Sequence, residues 1–223
     1  MTAPQPVDTV VLDVDGTLVD TVYQHALAWV AAFDSVDVVV PVYRIHRAIG
    51  MGSDLLVAEV AGDDVEARHG DEVRACHDRL FDEAISRVHP LPGAADLLVE
   101  LRRRGLKVVL ATSGLPEQTE RLLALVDAVD MAQDSPSSDD VENSKPAPDL
   151  IEAAIDKAGG TRAAVIGDAV WDVAAAKKAG HYSIGLNTGG FSGSELREAG
   201  ADEVYPTPLE LLEALDRTPL SGA

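Results

Sequence analysis

The chain has 223 residues, 46% of them hydrophobic, with 38 acidic side chains against 18 basic ones and a formal charge of -20. That length can bury a sizeable core and allows one large domain or one with a smaller insert. The acidic excess repels phosphate backbones and anionic lipid alike, which makes nucleic acid and membrane surfaces poor partners. No apolar segment approaches the about 18 residues of a membrane helix, and residues 1–7 contain neither a basic region nor an apolar signal core, so a soluble, cytoplasmic protein is expected. The single cysteine, Cys76, excludes an intramolecular disulfide and a multi-cysteine metal site, and its surroundings read as helix packing.

After a loose tail over residues 1–7, an apolar run predicts a buried strand over 7–13 that breaks at Gly16. Residues 21–33, 42–49, 54–60 and 65–88 then carry helical spacing with few strand signals, a helical insert punctuated by Gly50, Gly52 and Gly62. Val38-Val39-Val40 is too short a run to decide between strand and loop. His89-Pro90-Leu91-Pro92-Gly93 is the return linker, and a helix follows from Pro92 to Arg104, stopped by Gly105. Beyond it the pattern alternates as in a parallel sheet with crossover helices. Strands are predicted over 106–112, 126–132 (weak), 163–167, 183–186 and 203–205, and helices over 116–125, 148–158, 170–179, 194–199 and 209–215. The polar, acidic stretch 133–144 reads as a solvated loop. The fold class is therefore α/β, a Rossmann-like parallel sheet with helices on both faces, built from residues 1–20 and 91–223, with an inserted helical unit over 21–90.

The chemistry starts at Asp13-Val14-Asp15-Gly16-Thr17-Leu18-Val19-Asp20, which places two carboxylates two residues apart at the C-terminal end of the first strand. Open α/β sheets bind ligands at such ends. Period-2 geometry sends Asp13 and Asp15 the same way while the strand lasts, and two carboxylates in one small space call for a cation between them. An EF-hand calcium loop does not fit, because Gly16 comes fourth rather than sixth and the twelfth residue is Gln24 rather than Glu.

This stretch resembles the first motif of the haloacid dehalogenase-like (HAD) hydrolases, in the phosphatase and phosphomutase branch that carries a helical cap. Three further motifs at the ends of predicted strands extend the resemblance through almost the whole non-helical part of the chain. Leu110-Ala111-Thr112-Ser113-Gly114 ends a strand in a hydroxyl residue and free N–H groups that can hold phosphoryl oxygens. Ser144-Lys145-Pro146-Ala147-Pro148-Asp149 fixes one lysine between an acidic loop and two prolines, where it would neutralise a transferring phosphoryl group. In Val165-Ile166-Gly167-Asp168-Ala169-Val170-Trp171-Asp172, Asp168 ends a strand and Asp172 lies one turn later, so both can face one spot; helix capping is the plainer reading of the same pair.

The resemblance implies that Asp13 is the nucleophile, Asp15 the acid and base, and Lys145 a further catalytic residue. It also implies that Thr112, Ser113, Gly114 and Lys145 hold the phosphate. Magnesium suits hard oxygen ligands and bridges carboxylate to phosphate. Its expected ligands are Asp13, the main-chain carbonyl of Asp15, and Asp168, with Asp172 direct or through water. The implied activity is Mg2+-dependent hydrolysis of a small phosphorylated metabolite through an aspartyl-phosphate. The alternatives are a beta-phosphoglucomutase-like phosphomutase and a catalytically silent module that binds a phosphometabolite. The insert resembles the cap that sets substrate choice, with Arg44, Arg47, Ser53, Arg68, His69 and Arg74 as candidate grips. It has no lysine, unlike the mutase cap, which favours a phosphatase. His25 and Trp29, one turn apart, read as cap packing. A monomer or small homo-oligomer is expected.

Overall fold

The computed structural model describes residues 6–134, 136 and 143–221, so the centre of the predicted acidic loop, Ser137-Ser138-Asp139-Asp140, lies outside the described residues. β1 (Thr9–Leu12) is buried at every position and pairs in parallel with β2 (Lys107–Leu110) on one side and β3 (Ala163–Gly167) on the other. A parallel strand enclosed this way needs apolar side chains on both faces, which is why Val10, Val11 and Leu12 follow one another without alternation. β4 (Tyr182–Leu186) and β5 (Glu203–Tyr205) complete a five-stranded parallel sheet in the order β2-β1-β3-β4-β5. The chain leaves β1 for β2 in one direction and later places β3 on the opposite side. The C-terminal ends of β1 and β3 therefore flank a topological switch point, where such sheets open a crevice.

Helices cover both faces. Val10 and Leu12 point into a core shared with α5 (Ala94–Arg103), α6 (Pro116–Leu123) and, near the other end of the chain, α10 (Pro208–Ala214). Val11 points the other way, towards α7 (Asp149–Ala158) and α8 (Val170–Lys178). The short α9 (Gly193–Ala199) lies over β4 and β5, begun by a Ser192 and Glu195 capping box.

The predicted strand over 126–132 does not form. The backbone instead runs through two 3-10 segments, Ala124–Val126 and Val129–Asp134, separated by Asp127 in the left-handed region at φ 53°. Val126, Ala128 and Met131 still reach the core, from a helical spacing that a seven-residue apolar window cannot distinguish from a strand.

Between β1 and α5 lie α1 (Val22–Asp34), α2 (Val42–Ala48), α3 (Ser53–Ala61) and α4 (Asp63–Ala84), which close around their own apolar cluster including Trp29, Phe33, Ile45, Leu56 and Val73. The 38–40 run is not a strand; it follows a turn at Asp37, whose φ is 58°. α4 buries Gly70, Val73, His77 and Phe81, a stripe spaced by three or four residues that packs on α1 and α3. This places the C-terminal half of α4 over the crevice at the end of β1.

Candidate active site

Asp13 follows directly on β1, its N–H donating to the carbonyl of Ile166 in β3 at 3.0 Å, so the central strand fixes its backbone. Lys145 reaches it from the loop before α7 and lies 2.6 Å from Asp13 Oδ1 and 2.7 Å from Asp172 Oδ1, with only 2% of its side chain exposed. Asp13, Asp168 and Asp172 offer carboxylate oxygens within 4.8 Å of one another, all buried. Asp168 is held by the Thr17 hydroxyl, which donates to its Oδ1 at 3.1 Å. Two glycines make room for it: a Cβ on Gly16, whose φ is +72°, would lie 2.2 Å from Asp168 Oδ2, and one on Gly189 would lie 2.0 Å away. Asp172 also accepts from the Ala169 N–H through Oδ2, capping α8 as well as joining the cluster.

Asp15 turns away from this group. Its Oδ1 accepts from the Thr21 hydroxyl at 2.7 Å and lies 3.1 Å from His25 Nε2. His25 Nδ1 is in turn 3.1 Å from His77 Nε2, and His77 Nδ1 is 2.9 Å from Asp78 Oδ1, so a hydrogen-bonded chain runs from Asp15 through two imidazoles into α4. The His77 ring stacks on Trp29 with centroids 4.0 Å apart, and His25 on Phe81 at 3.6 Å. Packing therefore describes Trp29 well, whereas His25 also touches the second carboxylate of the first motif. His77 and Asp78 carried no sequence signal beyond their place on α4; only the packing of α4 on α1 reveals them.

The electrostatics separate the two aspartates. Burial pushes the Asp13 carboxyl up to about 7, against the pull of Lys145 and with the help of Asp172 and Asp15. Burial likewise raises Asp168 well above the carboxylate range, assisted by Asp172 and Asp13. Asp15 moves the other way: burial alone would raise it, but His25 and the Thr21 hydrogen bond outweigh that and hold it below the usual value. Burial opposes the ammonium of Lys145, yet Asp13 and Asp172 keep its pKa above that of an ordinary lysine. Burial lowers His77 to about 4, leaving it neutral at neutral pH.

A cavity of about 190 Å³ opens over Asp13 and Asp15, floored by Ser113 and Gly114 and roofed by Trp29, Met51 and Leu56. Thr112 is buried beneath it and accepts from the Gly114 N–H at 3.1 Å. Of the six candidate grips only Ser53 lines the cavity. Arg47 is drawn off to Glu195 at 2.7 Å and lies over the Phe191 ring, and Arg74 forms two bonds to Glu66 and one to Asp71. Arg68 donates to the carbonyl of Asp64, His69 faces Glu72 at 3.8 Å, and Arg44 lines a separate cleft beside Trp171. In this acidic chain Arg47 and Arg74 find carboxylates nearer than the cavity.

A phosphoglycolate phosphatase of Shigella boydii serotype 4 is 30% identical to this chain over 236 residues, covering 92% of it and 91% of the relative. A hydrolase from Pseudomonas syringae is 36% identical and superposes with a TM-score of 0.89 over 93% of this chain and 97% of its own. CbbY from Rhodobacter sphaeroides, solved in complex with phosphate, is 25% identical, with a TM-score of 0.74 over 94% and 99% of the two chains. The sequence pattern of the haloacid dehalogenase-like hydrolases matches residues 7–180. That match begins before β1 and ends after α8, spanning the segments that bring Asp13, Lys145, Asp168 and Asp172 together, and the chain belongs to the haloacid dehalogenase-like hydrolase family.

Proposed function

We propose that this protein is a magnesium-dependent phosphatase that hydrolyses a small phosphorylated metabolite through an aspartyl-phosphate formed on Asp13. The observation that carries the reading is the buried Lys145 ammonium 2.6 Å from Asp13 Oδ1, behind a cavity that Asp13 and Asp15 both line. A lysine paired this way would neutralise a phosphoryl group arriving at Asp13, an effect that is strong where water is excluded.

The donor set suits a magnesium ion. Of the three buried carboxylates, Asp13 and Asp172 share the Lys145 ammonium while Asp168 has the Thr17 hydroxyl, and Asp172 Oδ1, though near Lys145, accepts no well-directed hydrogen bond among the described residues. Hard oxygen ligands around such a deficit of positive charge are what magnesium takes. Asp13, Asp168, Asp172 and the main-chain carbonyl of Asp15 would hold it. Once bound, it would supply charge neutralisation for the phosphoryl oxygens and lower the carboxyl pKa values that burial raises.

The protein's own residues then divide the work. Asp13 attacks phosphorus in line as the ester P–O bond breaks; Asp15, ionised in the free site, takes up a proton as the anionic phosphoryl group arrives beside it, and gives that proton to the departing alcohol oxygen. Asp15, now a carboxylate, takes a proton from the water that attacks the aspartyl-phosphate, releasing inorganic phosphate and restoring Asp13. Lys145, the Thr112 hydroxyl and the Ser113 N–H hold the phosphoryl oxygens, and the Gly114 N–H, which donates to Thr112 Oγ1 in the free site, joins them by exchanging that bond. The helices between residues 21 and 90 act as a cap over a core made of 1–20 and 91–223, excluding water until the second half-reaction needs it.

The test is phosphate release from p-nitrophenyl phosphate and small esters with magnesium. Asp13→Asn is expected to keep the fold, judged by circular dichroism, and to lose turnover by more than about a thousandfold. Excess chelator is expected to silence the wild type reversibly. Turnover retained by folded Asp13→Asn would refute the nucleophile, and activity indifferent to chelator would refute the metal.

A further inference from the structure

The chain's lysines and arginines all lie among the described residues, and none but Lys145 is placed to meet a ligand over Asp13. Lys145 is already committed to the phosphoryl end, buried between Asp13 and Asp172. Beyond that end, the cavity is walled by Trp29, Met51 and Leu56 and by Asp78, whose carboxylate is paired with His77, and no lysine or arginine lines it. The two imidazoles there have both ring nitrogens engaged, His25 with Asp15 and His77, and His77 with His25 and Asp78. Gln118 gives its amide N–H to the carbonyl of Asp78. The guanidinium of Arg74 comes within 3.5 Å of the Ser53 carbonyl at the rim, but Glu66 and Asp71 hold it.

A carboxylate or second phosphate on the alcohol part of a substrate would give up its water here and meet an apolar wall with no cationic side chain to pair it. Burying a charge without a partner is costly, and the surrounding field of a -20 chain adds to the cost. An uncharged alcohol part loses little by the same move and gains contact with the aromatic and aliphatic wall. The volume, about 190 Å³, equals roughly six waters at about 30 Å³ each, enough for a phosphate and a short chain.

From this we infer that the preferred substrates are small phosphate monoesters whose alcohol part carries no negative charge, in contrast to the phosphoglycolate that gives several relatives their name. The inference rests on the phosphatase reading above and narrows it. The reaction is the same hydrolysis: water adds across the P–O bond, giving the neutral alcohol and inorganic phosphate.

The experiment compares kcat/KM for 2-hydroxyethyl phosphate and phosphoglycolate, which share one two-carbon skeleton and differ in the terminal group, with p-nitrophenyl phosphate as a general reporter. At least about a tenfold preference for the neutral ester is expected, equivalent to about 1.4 kcal/mol. Ser53 is exposed at the start of α3 and lines the cavity, so its charge can be changed at little risk to the fold. Ser53→Lys is expected to raise the phosphoglycolate to hydroxyethyl phosphate ratio severalfold, and Ser53→Glu to lower it. Equal or greater activity on phosphoglycolate in the wild type would overturn the inference while leaving the phosphatase standing. A ratio unmoved by either charge would overturn the placement of the alcohol part in this cavity. Absence of hydrolysis on every ester, p-nitrophenyl phosphate included, would overturn the phosphatase reading and this inference with it.

Discussion

At the residue scale, the second aspartate of the first motif owes its state to the helices above it. His77 is 5% exposed, stacked on Trp29 and linked through His25 to Asp15. Its folded pKa, about 4 against an ordinary 6.5, means that the unfolded chain binds more protons between those values. Stability from this site is therefore fully present above about pH 6.5 and is lost as pH falls towards 4, with a limiting slope of about 1.4 kcal/mol per pH unit. Urea unfolding from pH 7 to 4.5 is expected to show a shallower loss in His77→Gln than in wild type; parallel curves would mean the ring is not held neutral. The first-motif aspartates and Lys145 could be found in the sequence because a strand end and two prolines mark them. His77 and Asp78 could not, since one histidine and one aspartate on a 22-residue polar helix look like any other solvated pair.

At the scale of elements, the helices between residues 22 and 84 meet the sheet side where α6 reaches α4, through Gln118 with the Asp78 carbonyl and Arg121 with Asp82, and at a few contacts near α2. His46 Nε2 lies 2.9 Å from the Gly189 carbonyl, the Trp171 indole donates to the Arg47 carbonyl at 3.2 Å, and the Arg47 guanidinium pairs with Glu195 while lying 4.0 Å from the Phe191 ring centre. Both partners of the ion pair are about 40% exposed, so it is worth at most about 1 kcal/mol, and the cation–π contact about 0.5 to 1. Such a clasp is weak enough to open. Arg47→Ala is expected to move the melting temperature by only a few degrees while speeding amide exchange in the loop at Ile49–Gly52, which borders the cavity. Unchanged exchange there would show that the clasp does not govern the loop. Helix and strand types were legible from spacing in nearly every segment; the 126–132 run was not, because its apolar residues fit either period and Asp127 in a left-handed conformation breaks the chain where a strand would continue.

At the scale of the whole molecule, a charge of -20 on 223 residues leaves the folded state repelling itself. Exposed charges are screened over about 8 Å at physiological ionic strength and about 3 Å at 1 M. Raising sodium chloride from 10 mM to 1 M is therefore expected to raise the melting temperature, and a melt independent of salt would show that the surface carboxylates are already neutralised by local pairs. Ions paired on the surface, such as Arg104 with Glu100 and Asp216, remove only part of that repulsion.

The sequence by itself determined the parallel α/β class, the helical segment after the first strand and the aspartates and lysine that gather at the end of β1. These follow from local rules: apolar runs that must be enclosed on both faces, glycines that break them, and polar groups placed where strands stop. Tertiary structure alone decided what lines the cavity beyond Asp13 and Asp15. Arg47 and Arg74, which sequence position offered as grips, are held by Glu195, Glu66 and Asp71, and the groups that do face the cavity include His25 and Trp29 of α1 and His77 and Asp78 of α4, whose register depends on how two helices pack. The Arg47–Glu195 pair and the packing of α1 on α4 act between residues far apart in the chain, where no local pattern could have assigned them, whereas the pairing of Arg74 with Asp71 lies within one turn of α4.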